Sequence, residues 1–221
     1  GPHDGGQTHM PNYRTYAIRA LSLLGSSRLT IIALSLILAF VSMSPVSAGT
    51  SVAGSISSHE EWTLADSPFQ VTGHVTVSSG VTLTIDSGVT VKFDSGKVME
   101  VEGTLVARGT STSTVTFTSS AASPAAGDWG YIKFKDSSTD ATFDGNGDYT
   151  SGSIMEYCSV LYGGGTGDIE SVGAVLTDSA APFITNSTFK YSASWAVKLV
   201  PAVAFRFTNN TVDSNTAPPP A

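Results

Sequence analysis

Val75-Thr-Val-Ser-Ser-Gly80, Val81-Thr-Leu-Thr-Ile-Asp-Ser-Gly88 and Val89-Thr-Val-Lys-Phe-Asp-Ser-Gly96 follow one another without a break. Each is a short apolar/polar alternation closed by a glycine turn. The alternation sets Val81, Leu83 and Ile85 on one face and Thr82 and Thr84 on the other, which is the period of a strand. β-Branched residues dominate, as a pleated and half-buried surface prefers. The closing glycines supply the backbone angles of a tight corner. Three such sides make a repeat of roughly two dozen residues, the length of one rung of a parallel β-solenoid.

The pattern continues through Lys97–Gly103, Thr104–Thr110 and Thr114–Ser120, then pauses in the small-residue loop Ala121–Asp128 and resumes at Trp129-Gly-Tyr-Ile-Lys-Phe134. Asp136–Gly152 is the longest turn-rich insertion. Beyond it the repeat changes its wording. Ile184-Thr-Asn-Ser-Thr-Phe189 matches Phe207-Thr-Asn-Asn-Thr-Val212 one rung later, and Met155-Glu-Tyr-Cys-Ser-Val160 is the same pattern one rung earlier, its longer interval absorbed by the Gly-rich loop Gly163–Gly167. The apolar ends of these segments differ in parity, so a flat strand cannot bury both. The chain must bend at Asn186 and Asn209, where asparagine tolerates left-handed backbone. A second register links Val175 with Val197, again one rung apart.

Before this region, residues 1–9 read as a vector-derived or upstream segment. Residues 10–48 read as a secretory signal peptide: Arg14, Arg19 and Arg28 precede an apolar run from Leu29 to Met43, and Val46-Ser-Ala48 closes it with small residues. The run is short for a membrane span, so the expectation is cleavage, a secreted or cell-surface location, and no stable span afterwards. Residues 49–61 read as a polar lead-in, with Trp62, Leu64 and Phe69 forming either a cap on the solenoid end or a first irregular rung. Residues 216–221, Thr-Ala-Pro-Pro-Pro-Ala, read as a Pro-rich tail or linker to further domains of the same polypeptide.

Cleavage after Ala48 would remove Arg14, Arg19 and Arg28 from the 11 Lys/Arg and Asp4 from the 18 Asp/Glu, so the remaining chain is more acidic than the formal net charge of −7. Such a balance argues against nucleic acid as a partner. A single cysteine, Cys158, excludes an internal disulfide framework. It stands at the repeat position of Ser187 and Asn210, with no basic neighbour to activate it.

These segments, together with Val71-Thr-Gly-His-Val-Thr-Val77 and Gly127-Asp-Trp-Gly-Tyr-Ile-Lys-Phe134, resemble the right-handed parallel β-helix repeat family of secreted and cell-surface proteins, the pectate-lyase-like fold. The resemblance covers roughly residues 62–215. It implies an all-β, short right-handed parallel β-helix of about five rungs. It leaves activity open, because the family holds lyases and epimerases beside adhesins and repeats of no known chemistry.

Asp144-Gly-Asn-Gly-Asp148 carries alternate oxygen ligands like the start of a calcium loop, and Asp140, Asp144, Asn146 and Asp148 are the candidate metal ligands. Tyr149 stands where that pattern requires glycine. A polysaccharide lyase or glycoside hydrolase would draw on Asp168, Asp178, Lys198 and Arg206. Trp129 and Tyr131, opposite in parity to Ile132 and Phe134, are expected to point outward and, with Tyr162, to stack on sugar rings. The favoured expectation is a structural or adhesive module, with no cofactor other than calcium and with a polysaccharide or glycan as partner. The alternatives are the lyase or hydrolase, and a spacer whose ends stack head to tail.

Overall fold

The computed structural model of the chain describes residues 49–165, 173–200 and 204–215. Residues 47–221 form one compact unit. The described residues hold nineteen strands, β1 to β19 in chain order, and seventeen of them build a parallel β-helix with three sheet faces. The first sheet stacks β2 (Glu60–Trp62), β4 (Thr82–Ile85), β7 (Thr104–Arg108), β12 (Ile154–Glu156), β15 (Phe183–Thr185) and β18 (Phe207–Thr208). The second stacks the leading halves of β1 (Thr50–Ile56) and β3 (Phe69–Val77) with β5 (Thr90–Phe93), β8 (Val115–Ser119), β13 (Cys158–Leu161), β16 (Thr188–Lys190) and β19 (Thr211–Asp213). The third stacks the trailing halves of β1 and β3 with β6 (Met99–Val101), β9 (Ile132–Phe134), β14 (Gly173–Asp178) and β17 (Trp195–Val200). The one antiparallel pair of named strands is the hairpin of β10 (Thr142–Phe143) and β11 (Tyr149–Ser151).

The expected register holds. Ile184 pairs with Phe207, Met155 with Ile184, and Val175 with Val197. Val81, Leu83, Ile85, Val89, Val91 and Phe93 all face the interior, while the intervening threonines are half-exposed. Like side chains stack along the axis: Val91, Phe117, Val160, Phe189 and Val212 form one column, and Val75, Met99, Ile132, Val175 and Val197 another. Each fully buried side chain of this size contributes about 1.5–3 kcal/mol of transfer free energy, which opposes the chain entropy lost on ordering.

The corners divide the work between backbone and side chain. Gly80, Gly88 and Gly96 turn with φ of 76°, 82° and 68°. Asn186 and Asn209 bend as anticipated, with φ of 51° and 57°. Tyr157, with φ of 47°, bends at the same position one turn earlier, and the residues after Tyr157 and Asn186 are bound by their neighbours on the following turn: Cys158 N–H donates to Ser187 Oγ at 2.9 Å, and Ser187 N–H donates to Asn210 Oδ1 at 2.8 Å. This satisfies backbone donors that a corner would otherwise bury unpaired.

One expectation is corrected here. Residues 49–61 belong to the solenoid, because β1 and β2 pair in parallel with β3 and β4. Their apolar pattern is weak because an end turn packs on one side only, so most of β1 is exposed. With β2 included, the first sheet stacks six strands among the described residues. Trp62 and Phe69 stack at 4.6 Å inside the core of the first turns, whereas Leu64 is exposed. The readings of residues 1–48 and 216–221 lie outside the described residues.

Candidate functional site

The outward face of the third sheet is a ladder of charges set by strand register. Thr76, Glu100, Lys133, Leu176 and Lys198 occupy one row, with Glu102, Lys135 and Asp178 beside them. Lys135 Nζ lies 3.3 Å from both Glu100 Oε2 and Glu102 Oε1, and Lys133 Nζ lies 3.0 Å from Asp178 Oδ2. Partial burial pulls the Lys135 ammonium down, but its hydrogen bonds to Glu100 and Glu102 outweigh that and hold it above its ordinary range. At the leading side of this face a recess of about 220 Å³ is lined by His74, Thr76, Val98, Glu100 and Tyr131.

Trp129 does not point outward. It is fully buried, stacks on Phe93 at 4.2 Å and 12°, and donates from Nε1 to Leu161 O at 2.8 Å. Parity carries side-chain direction only within a strand. Here β9 begins at Ile132, and the chain turns between Trp129 and that strand. Tyr131 does lie on the outer side, clustered with Val98 and Leu176, but only 6% of it is exposed. Tyr162 is half-buried and stacks on Tyr191 at 5.0 Å and 17°. Because Leu161 pairs with Lys190, the two tyrosines hold the same corner position on successive turns, between the second and third sheets. Both are in left-handed backbone, with φ of 65° and 59°, and Tyr191 is 41% exposed. Tyr191 was legible as a partner, since it follows Tyr162 at the same interval that separates Met155 from Ile184.

The Asp136–Gly152 insertion folds as the β10–β11 hairpin. Asp144 Oδ1 accepts from the N–H groups of Asn146 and Asp148, each at 2.9 Å, while Asp140 Oδ1 accepts from Ala181 N–H at 2.7 Å. The Asp148 N–H, with smaller help from Asn146 and Gly147, holds the Asp144 carboxyl below its usual range. These carboxylates thus order the turn and its docking. Among the described residues no group of three or more His, Cys, Asp or Glu is placed to hold a metal ion. The hairpin lies against the first sheet: Phe143 packs edge-on to Phe183 at 5.2 Å, and the Arg206 guanidinium sits 3.6 Å above the Phe143 ring while donating to Gly147 O at 2.7 Å.

Of the residues named for bond cleavage, Asp178 and Lys198 share the outward face of the third sheet, Arg206 serves the hairpin, and Asp168 lies outside the described residues. Cys158 is buried at its corner, and burial pushes its thiol far above the ordinary range despite the hydrogen bond with Ser187. Native protein is therefore expected to resist alkylation by iodoacetamide at neutral pH and to react once unfolded. Labelling of the folded chain at the rate of a free thiol would contradict this environment.

A family model described as a pectate-lyase like beta helix domain matches residues 54–175, more than half of the chain, and the chain belongs to that family. No curated protein and no solved structure matches it. No helix among the described residues is long and apolar enough to cross a membrane.

Proposed function

We propose that the chain is a structural and adhesive module of an exported or cell-surface protein, holding glycan at the corner between its second and third sheets. The observation that carries this reading is the Tyr162–Tyr191 pair. Left-handed backbone costs a residue with a side chain roughly 1–2 kcal/mol. At the neighbouring corner this backbone falls to Tyr157 and then to Asn186 and Asn209, of which the asparagines tolerate it better, so that corner pairs no two tyrosines. Tyrosine on two successive turns offers instead a pair of parallel, partly exposed rings, an apolar surface with polar tips suited to sugar rings. The recess beside Val98 and Tyr131, at the start of the third-sheet strands, adds a shallow apolar floor with Glu100 at its rim. Membership of a family that is often extracellular agrees with export.

The test is retention of residues 49–221 on a panel of neutral and acidic polysaccharides, with new reducing ends recorded in parallel. Retention without turnover is expected, and Tyr191→Ala should weaken it about tenfold, the loss of one anchoring ring. Turnover lost on changing Asp178 or Lys198 would replace this reading with a lyase or hydrolase. Retention on none of the polymers would remove the glycan from the proposal.

A further inference from the structure

We propose that the two ends of the column are complementary and that the chain associates head to tail, the acidic first turn of one copy seating on the basic last turn of the next. The outer edges of β1 and β2 at one end, and of β17, β18 and β19 at the other, have no strand partner among the described residues. Each edge therefore presents backbone donors and acceptors that a further parallel strand would satisfy. At the last turn the interior is only partly covered, with Phe205, Phe207 and Val212 half-exposed.

Charge and register select the occupant. From Gly49 to Val91 the chain carries four carboxylates, Glu60, Glu61, Asp66 and Asp86, and no Lys or Arg. In residues 183–215 the charges are Lys190, Lys198, Arg206 and Asp213. Lys190 and Asp213 neutralise each other at 3.1 Å, which leaves Lys198 and Arg206 as the net charge of that end. The pairing of the first sheet runs Glu61, Thr84, Val106, Ile154, Phe183 along one outward row, and Arg206, which precedes Phe207, is its last member. A second copy that continued the sheet by one strand spacing, about 4.8 Å, would set its Glu61 beside Arg206 of the first.

Arg206 is exposed yet already fixed by Phe143 and Gly147 O, so little side-chain freedom is lost when it pairs. Glu60, exposed at an inward-facing position of β2, makes the first turn a poor match for an uncharged apolar edge and so favours a basic one. The contact is heterologous, and nothing in it closes a ring of two, so repeated association yields an open filament.

Glycan binding is independent of this inference and is measured separately. The segment 49–221 retains the compact unit apart from Ser47 and Ala48, and presents the first turn as it stands after cleavage behind Ala48. Sedimentation velocity over a concentration series should show growth that weakens with salt. Glu61→Arg or Arg206→Glu should each lower the association constant about tenfold, and the double reversal should restore it. A mixture of Glu61→Cys and Arg206→Cys chains, oxidised together, should give a disulfide-linked dimer that neither forms alone. A monomer at every concentration overturns the proposal. So does association indifferent to either reversal, or reversals that the double variant fails to rescue.

Discussion

Trp129→Ala is expected to destabilise the folded chain by about 4 kcal/mol, near the middle of the range for aromatic deletions in a packed core. The ring is wholly buried against Phe93, so its removal leaves a cavity at the corner between the second and third sheets. It also strips Leu161 O of the Nε1 hydrogen bond, adding the desolvation of a carbonyl to the lost packing. Trp129→Phe keeps much of the ring and loses the donor, and should cost about 1–2 kcal/mol. Urea titration monitored by circular dichroism separates the two. A stability for the alanine variant within about 1 kcal/mol of the parent would mean that Trp129 is not in the core, and would return it to the surface role that strand parity suggests.

Gly103→Ala should be comparably severe, about 3 kcal/mol or more, for a reason unconnected with burial of apolar surface. Gly103 joins β6 to β7, and its N–H donates to Val77 O at 3.1 Å. A methyl group there would fall inside the van der Waals radii of the carbonyl oxygens of Ser78 and Val81 on the preceding turn. Both obstacles are backbone, so relief requires moving a corner that also holds the stack. Gly80 is the control. A methyl there meets nothing within 4 Å, and only its φ of 76° resists substitution, so Gly80→Ala should cost about 1 kcal/mol. Equal losses at the two positions would show that backbone angle, not close approach, governs the corners.

The three-sided stack was legible because short strands buried on one face must alternate, and Val81–Phe93 does so almost without exception. The intervals from Met155 to Ile184 to Phe207, and from Val175 to Val197, were legible because stacking places equivalent side chains in columns, which repeats their chemistry along the sequence. The bends at Asn186 and Asn209 followed from a change of parity inside one motif. Residues 49–61 were illegible because an end turn has no second neighbour to demand apolar residues. Trp129 was misread because parity was carried through a turn before β9. The hairpin could be seen as an insertion, but not its seat: Arg206 and Phe143 meet from distant parts of the chain that no local pattern relates. The candidate site was legible in its ingredients, Tyr131 and Tyr162 among them. How far each ring is covered depends on neighbouring turns and was not.

The connections between paired strands hold a further consequence. Leu83 reaches its partner Leu105 by a short path, but Val106 reaches Ile154, and Ile132 reaches Val175, only by paths far longer. The strands on either side of these long excursions remain short and stay in register. Length is therefore free to vary at the corners and fixed along the sides, since a longer loop adds only slowly to closure entropy while one extra residue within a side turns its inward set outward. For such a chain the unit of inheritance is the whole turn. Novelty can be grafted at the vertices of the triangle without renegotiating the interior, and both the tyrosine corner and the hairpin stand at such vertices.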